Sequence, residues 1–231
     1  MFTDDRITTA MVKALFAEEI GALNGTVSDT FDDGERLFVR SILPGVEEVR
    51  STDRVQGGVA LRMSGGEARV HPYVFRQVCS NGAIMAQAIE TRHVADFDVR
   101  GPEQVLPELR EAIQACASRE AFTVAAQQMR SAQDARVDLA ISFLPLLSRF
   151  PTSLVTQIMG RFFNVRDRSA FGMANAMTAT ARDMSDPELR WRLEELGGGV
   201  FAGRKPRFPR HDGSVPRRRE DTAAASSNAY A

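Results

Sequence analysis

The chain is poor in most of the residue types on which metal or thiol catalysis depends. Its 231 residues hold two cysteines, three histidines, one tryptophan and, among 29 basic side chains, only two lysines, Lys13 and Lys205. Cys79 and Cys116 sit in apolar surroundings, without the spacing of a disulfide framework or of a zinc site, which fits a reducing, cytoplasmic setting. No segment approaches the roughly 20 apolar residues that a membrane span needs. The first residues, with Asp4 and Asp5, lack the basic and apolar regions of an export signal, so a soluble chain with no membrane partner is expected. The glycine runs at 57–58, 65–66 and 197–199 have neither the lysine of a P-loop nor dinucleotide-fold spacing. They read as turns and a helix stop, and no cofactor or metal is expected.

What is present is enough apolar material for a packed core, at 43% of residues, with a charge asymmetry at one end. From Arg204 to Asp221 seven basic residues face three acidic ones, a net of +4, which leaves −5 on the rest of a chain whose total is −1. The expected organisation is a single α+β domain over 1–202 and a disordered basic tail over 203–231, the arrangement in which a flexible arm meets a polyanion. Ile7, Met11, Leu15 and Phe16 recur at helical spacing and predict a helix from Ile7 to Leu23, with Asp4 or Asp5 as cap and Asn24-Gly25 as its end.

From there to about Met85 the period changes. Leu37, Val39 and Ile42, then Val55, Val59 and Leu61, then Val70, Val74 and Val78 read as strands punctuated by Asp32-Asp33-Gly34, Pro44-Gly45, Gly57-Gly58 and Ser64-Gly65-Gly66. The run from Glu67 to Cys79 is apolar on both faces and reads as a central strand, with Pro72 marking a bulge or a break. A short strand is expected at 95–99. Helices follow: one opened by Gly101-Pro102 with Val105, Leu109, Ile113 and Cys116 on one face, a stripe of Val137, Ile141, Leu144 and Leu147, and a third from Leu154 to Phe163 with Pro151 in its first turn. Ser169 is placed to cap the next, and Asp186-Pro187 opens a last helix that 197–199 terminates. Strands early and helices late make this α+β, an N-terminal helix followed by an antiparallel or mixed sheet with a helical C-terminal half packed on it.

The candidate chemistry centres on 69–82. Cys79 lies eight residues after His71 and fourteen before His93, an arrangement that reads as nucleophile and base or as three zinc ligands. The surrounding Phe75, Val78, Ile84 and Met85 favour a buried thiol instead. Asn81-Gly82 suits a sharp reversal or helix start after the strand. Glu47-Glu48 and Glu194-Glu195 read as solvated carboxylates. Arg62, Arg69, Arg76, Arg92 and Arg100, with Tyr73 and Phe75 between them, would on an open sheet make a single-strand binding face, aromatics on bases and guanidinium groups on phosphates.

The run Asp53-Arg54-Val55-Gln56-Gly57-Gly58-Val59, then Val70-His71-Pro72-Tyr73-Val74-Phe75-Arg76-Gln77-Val78-Cys79-Ser80-Asn81-Gly82, then Arg92-His93 and Asn175-Ala176-Met177-Thr178, resembles the phage and plasmid-like family catalogued as domain of unknown function 932. The resemblance spans 36–196 and makes Arg76, Cys79, Asn81, Gly82, His93, Asn175 and Thr178 the motif residues. The polar Asn-Ser-x-x-Gly stretch often seen before the central strand is reduced here to Met63-Ser64-Gly65-Gly66. The family implies a mobile-element context and no established reaction.

The leading expectation is therefore a non-enzymatic protein that binds nucleic acid, single-stranded DNA above all, through Arg62, Arg69, Tyr73 and Arg76 and through Arg204, Arg217, Arg218 and Arg219 of the tail. Two other readings stand beside it: a structural or protein-interaction module, and a cysteine- or metal-dependent enzyme centred on Cys79 and His93.

Overall fold

A computed structural model describes residues 6–51, 53–77, 80–86, 91–137 and 146–203. The tail arginines Arg204, Arg217, Arg218 and Arg219, the predicted caps Asp4 and Asp5, the thiol of Cys79 and most of the 137–147 stripe lie outside these residues. The fold is α+β. Helix α1 (Thr9–Ala22) is followed by β1 (Thr26–Asp32), β2 (Leu37–Ile42), β3 (Val46–Arg50), β4 (Asp53–Ser64), β5 (Glu67–Arg76), β6 (Asn81–Ile84) and β7 (Arg92–Val94). The helices α2 (Pro102–Cys116), α3 (Arg119–Ser131), α4 (Thr152–Asn164), α5 (Ala170–Arg182) and α6 (Pro187–Phe201) follow.

All the strands pair antiparallel in one sheet of order β1-β2-β4-β5-β6. β4 is long enough to hold β3 along its first half and β2 along its second, while β5 runs beside its whole length. β5 is thus central, as its two apolar faces predicted. Pro72 neither breaks nor bulges it. β7 pairs with 68–70 and β6 with 73–76, so the missing N–H of Pro72 falls in the gap between two partners, while its carbonyl accepts from Met85 N–H at 2.8 Å. The short strand expected at 95–99 forms earlier, at 92–94, because only there does the chain lie along β5.

Strand alternation gives the sheet two faces, and helices cover both. On one face Leu37, Val39, Leu61 and Val70 pack against Val12, Phe16 and Ile20 of α1 and Val105, Leu109 and Ile113 of α2. Toward the β3–β6 end the same face carries Val55 and Val74 under Ala125, Ala126 and Met129 of α3. On the other face Phe38, Ala60, Tyr73 and Ile84 enclose Trp191 of α6, and α4 and α5 build an outer core on α6 through Ile158, Phe162, Met177 and Leu193.

Local chemistry sets the helix ends. Thr8, not an aspartate, caps α1 by accepting from Met11 N–H at 3.2 Å, and Asn24 stops it in the left-handed region at φ 56°. Ser169 caps α5 and Asp186 caps α6, as expected, whereas Pro151 stands at the cap of α4 rather than in its first turn.

Two glycine runs behave differently from the turns they resemble. Gly57-Gly58 lies inside β4 and 197–199 inside α6, which continues to Phe201. A Cβ on Gly58 would stand 2.0 Å from the Ser41 carbonyl oxygen, and one on Gly198 would stand 2.0 Å from that of Ile84. These glycines let backbones approach, and at 198 the approach seats α6 on β6.

Candidate functional site

β6 runs back along β5 with Asn81 directly opposite Arg76, and sheet alternation turns both side chains to the face that meets α5. Asn175 and Thr178 lie one turn apart on that helix. Asn81 Nδ2 donates to Thr178 Oγ1 at 2.6 Å, and the hydroxyl passes its own proton to the Ala174 carbonyl at 3.0 Å. Motif residues nearly a hundred positions apart in sequence are thereby joined. The reversal that precedes them is made by Ser80, at φ 49°, and not by Asn81-Gly82, which belong to β6. Gly82 is needed for a different reason: a Cβ there would fall 1.9 Å from Tyr73 Oη.

Between the β5–β6 pair, α5 and the 164–167 connection lies a cavity of about 480 Å³. Arg50, Arg76, Arg161 and Arg166 line it, with Asn81, Asn175 and a single acid, Asp167. Arg76 is clamped on Asp53, Nε at 2.8 and 2.6 Å from the two carboxylate oxygens, and Arg50 donates to Asp167 at 2.9 Å. Both guanidinium groups lie over the Phe171 ring, 5.1 Å from its centre for Arg50 and 5.2 Å for Arg76, within cation–π range. Burial pushes the Asp167 carboxyl up, but hydrogen bonds from the Ser169 side chain and backbone and from Arg50 outweigh it and hold the group below its ordinary range. Arg161 pairs with Asp183 at 2.6 Å, and Arg166 forms no ion pair with any described residue. Two amide oxygens here, Asn81 Oδ1 and Asn175 Oδ1, are buried with no protein partner.

A more open hollow of about 770 Å³ adjoins this cavity, sharing Arg50, Arg166 and Asp167 and adding Asp134, Arg136 and Arg168. Arg168 is held by the carbonyls of Phe162, Phe163 and Val165, while Phe163 is 51% exposed on the outer surface of the same segment.

The sheet-face reading is corrected by the same alternation that builds this site. Arg62 and Arg69 face one side of the sheet and Arg76 the other. Tyr73 is only 4% exposed and therefore has no free ring to offer a base. Arg62 lies over the Phe38 ring and pairs with Glu188 of α6 at 3.0 Å, Arg69 pairs with Glu67 at 3.2 Å, and Arg100 pairs with Glu108 at 2.5 Å.

The histidines separate too. His93 Nε2 is 2.7 Å from Glu67 at the surface, beside a different hollow, while His71 is buried against Trp191, where desolvation and the nearby Arg69 and Arg62 push its pKa down to about 4. Among the described residues no group of three His, Cys, Asp or Glu side chains is arranged to hold a metal ion. Burial pushes the unbridged Cys116 thiol up to about 12, which keeps it protonated.

Glu194 is not a solvated carboxylate. It is 1% exposed, 2.7 Å from Arg40 and 3.0 Å from Arg190. Its neighbour Glu195 is partly buried, and desolvation raises its pKa.

Arg50, Arg161, Arg166 and Asp167 escaped the reading of the sequence. The one local signal was the charged stretch Arg-Phe-Phe-Asn-Val-Arg-Asp-Arg at 161–168, where an apolar helix stripe gives way to alternating charge. No family model, curated protein or solved structure matches this chain.

Proposed function

We propose that the chain binds nucleic acid, single-stranded in preference to duplex, along the arginine-lined groove formed by the two adjoining hollows rather than on an open sheet face. The observation that carries this reading is the clustering of Arg50, Arg76, Arg136, Arg161, Arg166 and Arg168 around one depression whose lining holds only two carboxylates, Asp134 and Asp167. A phosphate backbone is the polyanion such a row of guanidinium groups matches, and the exposed Phe163 ring beside it offers a face on which an unpaired base stacks. The basic stretch 204–219 adds charge to the same chain. A cytoplasmic, mobile-element setting belongs to this proposal, supported by the resemblance to domain of unknown function 932 and by the unbridged thiol of Cys116.

Three of the motif residues, Arg76, Asn81 and Thr178, favour a second reading for themselves. The Asn81–Thr178 bond and the enclosed Arg76–Asp53 pair tie the sheet to α5 and to the start of β4, which is a structural task.

Titration of labelled single- and double-stranded oligonucleotides with the full-length protein at two salt concentrations tests the proposal. Single-strand affinity should fall with salt, and R161A/R166A should weaken it while R62A/R69A leaves it unchanged. Binding that is absent, or insensitive to salt, removes the reading. Loss only in R217S/R218S/R219S, with the groove variants intact, moves the activity to the tail.

A further inference from the structure

We infer that the cavity between the β5–β6 pair and α5 receives one nucleotide whose base carries an exocyclic amino group, the base meeting Asn81 Oδ1 and Asn175 Oδ1 and the phosphate meeting Arg166. The inference rests on the nucleic-acid reading above and narrows it to a single position of the bound strand.

The orientation of the Asn81 amide is fixed by its neighbour. Because the Thr178 hydroxyl spends its proton on the Ala174 carbonyl, its oxygen is left as an acceptor, and the Asn81 group that faces it is the NH2. The amide oxygen is then the atom without a partner, on a side chain only 3% exposed that lines the cavity. Asn175 Oδ1 is buried and unpartnered at the same cavity. Buried polar atoms are as a rule satisfied, and two orphaned acceptors at one hollow describe a ligand that donates hydrogens there.

An amino group brings two hydrogens. Thymine and uracil bring one ring N–H flanked by carbonyl oxygens, and those carbonyls would face the two amide oxygens. Adenine, cytosine and guanine escape this penalty. The guanidinium groups of Arg50 and Arg76, placed over Phe171 and paired with Asp167 and Asp53, give the cavity planar polar groups of the kind on which bases stack. A volume of about 480 Å³ suits one nucleotide and excludes a duplex. Arg166, exposed at the rim with no ion pair to a described residue, stands where a phosphate would complete the charge.

Calorimetric titration of the full-length protein with dCMP, dAMP, dTMP and inorganic phosphate, alongside short oligo-dC and oligo-dT strands, tests this. dCMP and dAMP should bind about tenfold tighter than dTMP, the size expected when a buried acceptor is left unsatisfied. N175L, at a half-buried position that leaves the Asn81–Thr178 bond in place, should erase that preference, and R62A should preserve it. Equal affinity for the three nucleotides, or a preference that survives N175L, overturns the assignment. Salt-sensitive oligonucleotide binding without nucleotide discrimination sinks the pocket assignment and spares the nucleic-acid reading. Nucleotide discrimination without oligonucleotide binding does the reverse, leaving a site for a free nucleotide.

Discussion

Two polar regions lie on opposite faces of the same sheet, and they handle charge in opposite ways. Beneath α6, Arg40 is 2% exposed yet reaches Glu194 at 2.7 Å and Asp29 at 2.9 Å, and Arg190 bridges the same two acids. The cluster is balanced in charge, with two guanidinium groups against two carboxylates and Trp191 laid over Arg40, although Arg40 Nη2 is left buried without a hydrogen-bond partner. At the cavity beside α5, arginines outnumber the one lining carboxylate, and the buried polar atoms left over are amide oxygens that no protein group reaches. Charge neutralised inside the protein holds elements together, whereas charge and acceptors left open at a hollow await something from outside. The contrast separates a structural polar core from a binding site without reference to residue type, since both are built from arginine and acid.

The comparison breaks most visibly if the balanced cluster is opened. E194A strands Arg40 in the interior and should cost about 3–5 kcal/mol in urea unfolding, while the double change R40M/E194L should cost clearly less because no charge is left unpaired. Groove binding by the folded fraction should persist in both variants. A pH titration sharpens the same side of the sheet. The His71 pKa is depressed in the folded protein, from 6.5 to about 4, so the unfolded chain binds the extra proton between those values. Stability is therefore complete above about pH 6.5 and falls as pH drops toward 4, by up to about 3 kcal/mol at that site. H71F should flatten this part of the profile measured by denaturant midpoint, leaving only the carboxylate contribution.

On the cavity side, T178V removes the acceptor for Asn81 and should cost about 1–2 kcal/mol of stability. It should also weaken discrimination between dCMP and dTMP, because the amide is then free to turn. A smaller effect is expected from R166A. Stability should be unchanged, and the slope of log affinity against log salt for single strands should fall by about 0.7, the change expected when one phosphate is no longer neutralised.

Much of the fold is legible in the chain because its signals are local. The central position of β5 follows from apolar residues on both faces, α2 from Val105, Leu109 and Ile113 at helical spacing, and the starts of α5 and α6 from Ser169 and Asp186. The misreadings share one physical cause. Gly57-Gly58 and 197–199 read as punctuation, the usual meaning of adjacent glycines, yet here they allow Ser41 and Ile84 carbonyls to approach. β1 is mostly polar and exposed and β3 and β6 are short, so none shows a clear apolar period, and they form because neighbouring strands pair with them. Arg62, Arg69, Tyr73 and Arg76 look like one face because they are close in sequence, although the alternation of the strands divides them.

By itself the chain determined that it folds as α+β and that its middle is strand and its second half helix, and it offered 69–82 and 175–178 as motif stretches. Periodicity, caps and turn residues act over a few positions, so these properties can be read without knowing what lies across the core. Only the tertiary structure brought Asn81 to Thr178, set Arg50 and Arg166 on the rim of the same cavity, and buried Tyr73 and Glu194. Burial, ion pairing and the unsatisfied amide oxygens depend on which segments meet in space, and that is decided by the packing of the whole sheet between its two layers of helices.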